Sequence, residues 1–225
     1  MPHALIFDFD GLIADTESAI YEAWAELYGK HGEELGLAEY VQCVGSTFGQ
    51  FDPMAELERR LGRTLDWAPL LEAKDAVIRA RHEGLPPLPG VRELLEQAAA
   101  AGVPCAVASS SSADWVRPWL RKFDLNDAFQ AIWTRDRVQE VKPSPELFLG
   151  AAADLGRAPG RCLVLEDSYN GLRAAQTAGS PCVIVPSPVT RGSDFSAAHR
   201  ILPSLAHTSL ADLLEIIPES PEVRR

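Results

Sequence analysis

Histidine, cysteine and methionine are scarce in this chain: five, four and two of 225 residues. The histidines (His3, His31, His82, His199, His207) show no pair at ligand spacing, so a histidine-based metal centre or catalytic triad finds no support. Cys43, Cys105, Cys162 and Cys182 are far apart, and three of them fall in strand-like apolar runs. They read as small buried hydrophobes in a reducing compartment, not as a disulfide framework or a zinc knuckle. Basic residues are in deficit, 21 against 32 acidic, for a formal charge of -11. With no Lys/Arg cluster to override it, such a surface repels nucleic acid and anionic membranes. No apolar run approaches the roughly 18 residues of a spanning helix. Asp8 and Asp10 interrupt any signal-peptide pattern at the N-terminus. Neither a Walker loop nor GxGxxG occurs, and there is no internal repeat. These absences predict a soluble, acidic, cytoplasmic protein.

What is present starts at the first residues. Ala4-Leu5-Ile6-Phe7 reads as a buried strand that delivers Asp8 and Asp10 into a turn opened by Gly11. Residues two apart on extended chain point the same way, so both carboxylates are expected at the carboxyl end of a strand. Open α/β sheets bind their ligands at that edge. Adjacent carboxylates repel unless a cation or a shared proton relieves them, and a metal site is the economical expectation.

Residues 17–85 change character. Ile20, Ala23, Trp24, Leu27 and Tyr28 recur at helical spacing, and further helical patterns cover 36–43, 53–61 and 67–82, with Pro53 placed to open the third. The stretch Gly84–Gly90, rich in proline, marks the return and could act as a stiff hinge. From Gly90 onward helices alternate with strands at Val103–Ala108, Ala131–Trp133, Arg161–Leu165 and Cys182–Val185. Pro118 is best accommodated if its helix begins near Trp115, and Ser209 is placed to cap a last helix through Ile217, before a frayed tail from Pro218. The expected fold is an α/β doubly wound parallel-sheet (Rossmann-like) core, residues 1–16 and 86–225. An all-helical cap domain, 17–85, is inserted after the first strand.

Three further segments could carry chemistry. Glu166-Asp167 ends an apolar strand; either Asp167 or Ser168 could simply cap the next helix, but together with Asp8 and Asp10 the pair would make an all-oxygen acidic cluster suited to Mg²⁺. Ser109 opens a run of four serines at another strand end, where a hydroxyl and main-chain N–H groups could hold phosphate oxygens; Ser110 follows it. The run would otherwise be a flexible loop. Lys142 would be an exposed lysine before a Pro-rich turn, or else a fixed positive charge between a nucleophile and an incoming phosphate.

Taken in order, these segments resemble the haloacid dehalogenase superfamily, in the branch that holds β-phosphoglucomutases and small-molecule phosphatases. Asp8-Phe9-Asp10-Gly11-Leu12 with Asp15-Thr16 resembles the first motif, Ala108-Ser109-Ser110 the second, Val141-Lys142-Pro143 the third and Leu165-Glu166-Asp167-Ser168-Tyr169-Asn170-Gly171 the fourth. The resemblance covers nearly the whole chain. It implies that Asp8 is the nucleophile and a metal ligand, and that Asp10 is the acid/base and offers its main-chain carbonyl to the metal. Asp167 would ligate Mg²⁺, with Glu166 beside it or acting through water, and Ser109 and Lys142 would hold the transferring phosphate. The helical insert resembles the mobile cap of that branch.

The cap would decide whether water or a sugar hydroxyl takes the phosphate. In place of the histidine and the loop arginine usual in β-phosphoglucomutases, this chain has Ile20 and the arginine-free Gly45-Ser46-Thr47-Phe48-Gly49-Gln50. That difference points to hydrolysis of a monophosphate, a sugar or polyol phosphate above all, with Ser46, Thr47 and Gln50 as candidate contacts. A nucleotide or phosphoglycolate substrate, a phosphosugar mutase and a non-catalytic binding module on the same fold are the alternatives. Dehalogenase chemistry needs no metal and would leave Asp10, Glu166 and Asp167 without use. A monomer is expected, since the cap helices could bury their own apolar faces.

Overall fold

The computed structural model describes residues 3–46 and 51–217. Thr47, Gln50 and the tail from Pro218 therefore lie outside the described residues.

Six parallel strands form one sheet in the order β3-β2-β1-β4-β5-β6. They are β1 (Ala4–Phe7), β2 (Cys105–Ala108), β3 (Ala131–Trp133), β4 (Cys162–Glu166), β5 (Cys182–Ile184) and β6 (Arg200–Ile201). Each of β1, β2, β4 and β5 is buried along its whole length, as continuous apolar strands covered on both faces must be. The two-residue alternation sorts their side chains. Leu5, Phe7, Val107, Leu163 and Leu165 meet α5 (Val91–Ala100), α6 (Ala113–Lys122) and α9 (Leu210–Leu214) on one face. Ala4, Ile6, Ala106, Val164 and Ile184 meet α7 (Glu146–Asp154) and α8 (Tyr169–Ala178) on the other. All four cysteines are buried free thiols.

Chain order sets where the site falls. From β1 the chain builds β2 and β3 on one side, then crosses back to lay β4 against the other side of β1. That reversal opens a crevice at the carboxyl ends of β1 and β4, the usual ligand position in doubly wound sheets.

Between β1 and α5 the described residues contain helices and no strand: α1 (Thr16–Lys30), α2 (Leu37–Tyr40), α3 (Pro53–Leu61) and α4 (Trp67–His82). Trp24, Leu27, Tyr28, Leu35, Tyr40 and Leu57 form a separate apolar cluster there, which Val189 from the segment after β5 joins. Asp52 caps α3, accepting from the N–H groups of Met54 and Ala55, with Pro53 in the first turn as expected.

Three local expectations change. The pattern over 36–43 divides into α2 and a tight 3-10 turn, Val41–Cys43. Helix α6 starts two residues before Trp115, so Pro118 sits inside it; the missing N–H falls on an exposed position. The last helix is capped by Ser209 but stops at Leu214. Strand β6 was not expected, because Arg200 and Ile201 are both exposed and carry no apolar signature. No helix among the described residues is long and apolar enough to cross a membrane.

Candidate active site

Asp8 leaves β1 with its N–H bonded to the Leu165 carbonyl of β4 at 2.9 Å, so the two strand ends are locked side by side. Asp8, Glu166 and Asp167 each offer an oxygen within 4.8 Å of the other two, and all three are buried. Lys142 is fully buried among them, so it is no exposed turn lysine. Its ammonium donates to Asp8 Oδ1 and, at 2.7 Å, to Glu166 Oε1, and it lies 4.9 Å from the centre of the Phe148 ring. The Lys142–Pro143 peptide is cis.

The two acids at the end of β4 have different surroundings. Glu166 Oε2 accepts from the N–H groups of Asp167 and Ser168, both at 2.8 Å, and from Ser168 Oγ at 2.9 Å. Together with Lys142 these bonds occupy both of its oxygens. Ser168 also caps α8, accepting from the Gly171 N–H at 3.0 Å. The capping duty therefore falls to Ser168 and leaves Asp167 free for other work. Asp167 Oδ2 accepts from Thr190 Oγ1 at 3.4 Å, while its Oδ1 is buried with no hydrogen-bond partner. An orphaned carboxylate oxygen in a buried site asks for a proton or a cation. Gly11, at φ +84°, fits against this carboxylate, which a Cβ there would strike.

Electrostatics agree with that geometry. Burial, then the Glu166 and Asp8 charges, hold the Asp167 carboxyl well above the ordinary range. Asp8 is raised to about 8 by burial, with Glu166 and Asp10 adding to the push and Lys142 opposing it. Burial alone would lower the Lys142 ammonium, but Asp8 and Glu166 more than offset this and the net movement is upward. Three clustered carboxylates against one ammonium leave an excess of negative charge that a hard divalent cation would neutralise. Asp8 and Asp167 fit such an ion; Glu166 is already satisfied by protein donors.

Asp10 stands apart from this cluster. Its Oδ1 accepts from Thr16 Oγ1 at 2.7 Å and from the Trp115 indole N–H at 2.8 Å. Its Oδ2 accepts from Ser111 Oγ at 2.6 Å and, more weakly, from Ser109 Oγ at 3.4 Å. Ser109 is buried at the end of β2 and accepts from the Ser111 N–H at 3.0 Å. Ser110 turns the other way and donates to the Gly45 carbonyl at 2.9 Å; Asn170 Nδ2 donates to the adjoining Val44 carbonyl at 2.8 Å. These two bonds tie the helical part to the loop after β2 and to the first turn of α8.

Above Asp10 opens a cleft of about 420 Å³, whose walls include Glu17, Ile20, Lys74, Arg79 and Trp115. Glu17 is pushed up to about 8 by burial and by the Asp10 and Asp8 charges. Ile20 does face this space. Its cations, Lys74 and Arg79, come from α4. Thr16, Ser111, Trp115 and Thr190 carry no sequence signal as partners of the acids. Thr16 is visible only as part of the first motif and Ser111 only within the serine run, and nothing in the spacing of Trp115 or Thr190 marks them.

Comparison with known proteins agrees with this geometry. The family model described as haloacid dehalogenase-like hydrolase matches residues 5–185. YhcW of Bacillus subtilis (strain 168) is 42% identical over 96% of this chain and 97% of its own. Hexitol phosphatase B of Escherichia coli (strain K12) is 31% identical over 94% of this chain and 96% of its own. The crystal structure of CbbY from Rhodobacter sphaeroides in complex with phosphate superposes with a TM-score of 0.74 at 33% identity, covering 95% of this chain and 99% of that one. The same protein is also known in complex with xylulose-(1,5)bisphosphate. The chain belongs to the haloacid dehalogenase-like hydrolases.

Proposed function

We propose that this chain, a phosphatase of the haloacid dehalogenase type, hydrolyses a small phosphorylated metabolite through an aspartyl-phosphate on Asp8. The observation that carries the reading is Asp8 paired with the Lys142 ammonium and clustered with Asp167, one of whose buried oxygens has no partner. Asp8 attacks phosphorus, the ester P–O bond breaks, and the leaving oxygen takes a proton from Asp10. Asp10 then removes a proton from water, which attacks the aspartyl-phosphate and restores Asp8. Lys142 and Ser109 hold phosphate oxygens, and Glu166 keeps Lys142 in place. Asp8, Asp167 and the main-chain carbonyl of Asp10 would hold Mg²⁺, which would supply the charge that lets a carboxylate approach a phosphate. In this reading the Ser110 hydroxyl serves docking of residue 45, and phosphate binding rests on Ser109.

Residues 17–85 act as the cap over a catalytic core of 1–16 and 86–225. A sugar or polyol monophosphate is the preferred substrate, supported by the likeness to hexitol phosphatase B. One observation favours a second reading: Lys74 and Arg79 of α4 line the cleft and could hold a distal anionic group, as a bisphosphatase or a phosphosugar mutase requires. Lys74 is ion-paired with Asp75 at 2.7 Å, which weakens its claim. A non-catalytic module has little to recommend it, because Asp8, Asp10, Lys142 and Asp167 are all present around one crevice.

The test is phosphate release from a panel of sugar, polyol and short-acid monophosphates, with Mg²⁺ and with chelator, alongside Asp8→Asn. Chelator-sensitive turnover that the variant lacks is expected. No release from any ester would overturn the reading. Isomer interconversion that appears only with a sugar bisphosphate would put the mutase first.

A further inference from the structure

One of the hydrogen bonds to Asp10 comes from a helix that carries no motif residue. Trp115, third residue of α6, donates its indole N–H to Asp10 Oδ1 at 2.8 Å, while Thr16 Oγ1 donates to the same oxygen at 2.7 Å. Both donors are braced by one residue. His82, buried at the last position of α4, bonds the Thr16 carbonyl through Nε2 at 3.2 Å. Its ring packs against Trp115 and Trp119, with centroids 5.7 and 5.4 Å away. Lys122 then fixes the end of α4, donating to the carbonyls of His82 at 3.0 Å and Glu83 at 2.9 Å.

We propose that Trp115 is a positioning residue for Asp10, with His82 as its brace, and that its indole N–H fixes the direction in which the carboxyl group presents Oδ2. An aromatic residue on a helix facing apolar neighbours needs no polar partner, but an indole N–H that leaves water does. Here the partner is the acid/base itself. The indole N–H can only donate, so together with Thr16 it holds Oδ1 in place as an acceptor. Oδ2 is thereby turned toward the hydroxyls of Ser109 and Ser111 after β2, where the phosphate-binding groups lie. In the first step Oδ2 hands a proton to the ester oxygen as the P–O bond breaks. In the second, the same oxygen takes a proton from water. Ser111 Oγ, at 2.6 Å from Oδ2, can rotate to accept when Oδ2 is protonated and to donate when it is not.

The inference rests on the role given to Asp10 above, and its test separates the two. Trp115→Phe keeps the ring and removes the N–H. With alkyl phosphates, whose leaving oxygen needs a proton, kcat/KM should fall about tenfold, the effect of one hydrogen bond to a charged group, with KM nearly unchanged. With p-nitrophenyl phosphate, whose leaving group departs without a proton, kcat/KM should fall less than about twofold. In an Asp10→Asn background the same substitution should cost less than about twofold on either ester. Equal losses on both esters, or full additivity with Asp10→Asn, would show a merely structural role and overturn the proposal. A readout free of turnover runs beside it: the indole ¹H–¹⁵N signal that Trp115→Phe removes should move in Asp10→Asn, and a stationary signal also overturns it. Active wild-type protein with an indifferent Trp115→Phe defeats this inference alone, whereas silent wild-type protein defeats the phosphatase reading.

Discussion

Asp8 and Asp10 are two residues apart in the sequence and belong to different worlds in the fold. Asp8 sits on a dry floor with Lys142, Glu166 and Asp167, all buried and closely interlocked. Asp10 sits on a rim, held by Thr16, Ser111 and Trp115 from three parts of the chain and open to a cleft. The floor concentrates charge at a cost in folding energy, because desolvated carboxylates resist ionisation. The rim spends little on desolvation and instead fixes the direction of one carboxyl group. Catalysis should therefore suffer from damage in either place, whereas stability should respond strongly only to damage on the floor.

The largest effect is expected at the floor. Asp8→Asn should lower phosphate release by about 10³-fold or more, since it removes the proposed attacking group. It removes one of the crowded carboxylates, so thermal unfolding of the metal-free variant should occur no lower than in wild type. A lower melting temperature would mean that the Asp8–Lys142 pair outweighs the repulsion. Lys142→Met should cost about 3–5 kcal/mol in denaturant unfolding at neutral pH, because it strands Asp8 and Glu166 without their cation. At the rim, Asp10→Asn should lower turnover by about 10²–10⁴-fold. Its unfolding free energy should stay within about 1 kcal/mol of wild type; a larger loss would erase the contrast between the two regions.

A pH experiment sharpens the comparison further. Asp8 and Asp167 are raised in the folded state, so across the interval from the ordinary carboxylate range to about 8 the folded protein binds more protons than the unfolded chain. Stability of the metal-free protein should then fall as pH rises through that interval. Mg²⁺ competes with those protons, so the rise in melting temperature on adding it should be greater at pH 7.5 than at pH 5.5. A metal-induced shift independent of pH would remove Asp8 and Asp167 from the ligand set. The smallest effect belongs to the cleft wall. Arg79→Ala should raise KM for a sugar bisphosphate several-fold more than for the matching monophosphate, and an equal change would leave the second reading without its support.

The floor was legible in the sequence for a physical reason. Each of its acids lies at the end of a strand whose apolar run is itself conspicuous, so strand periodicity alone places Asp8, Glu166 and Asp167 at one edge. Lys142 was readable only through its motif, since nothing local shows that a lysine before Pro143 is fully buried. The rim was not legible, because its members converge from α1, α4, α6 and the serine loop, and contact between distant elements leaves no period. Helix α6 misled in a related way: Pro118 is a good local argument for a late start, but the packing of Val116, Trp119 and Leu120 onto the sheet outweighs it. Strand β6 escaped because two exposed residues carry no pattern at all.

The ties at Val44 and Gly45 have a consequence for how such a protein can diversify. Ser110, from the loop after β2, and Asn170, from the first turn of α8, grip main-chain oxygens and not side chains. Only Gly45 is constrained in kind, by its φ of +75° and by Ser168, which a Cβ there would strike. A clasp of that sort is indifferent to the letters written beside it. Descendants of one ancestor could exchange residues in the segment that follows, and with them their diet of metabolites, while the insert continued to seat on the same anchors.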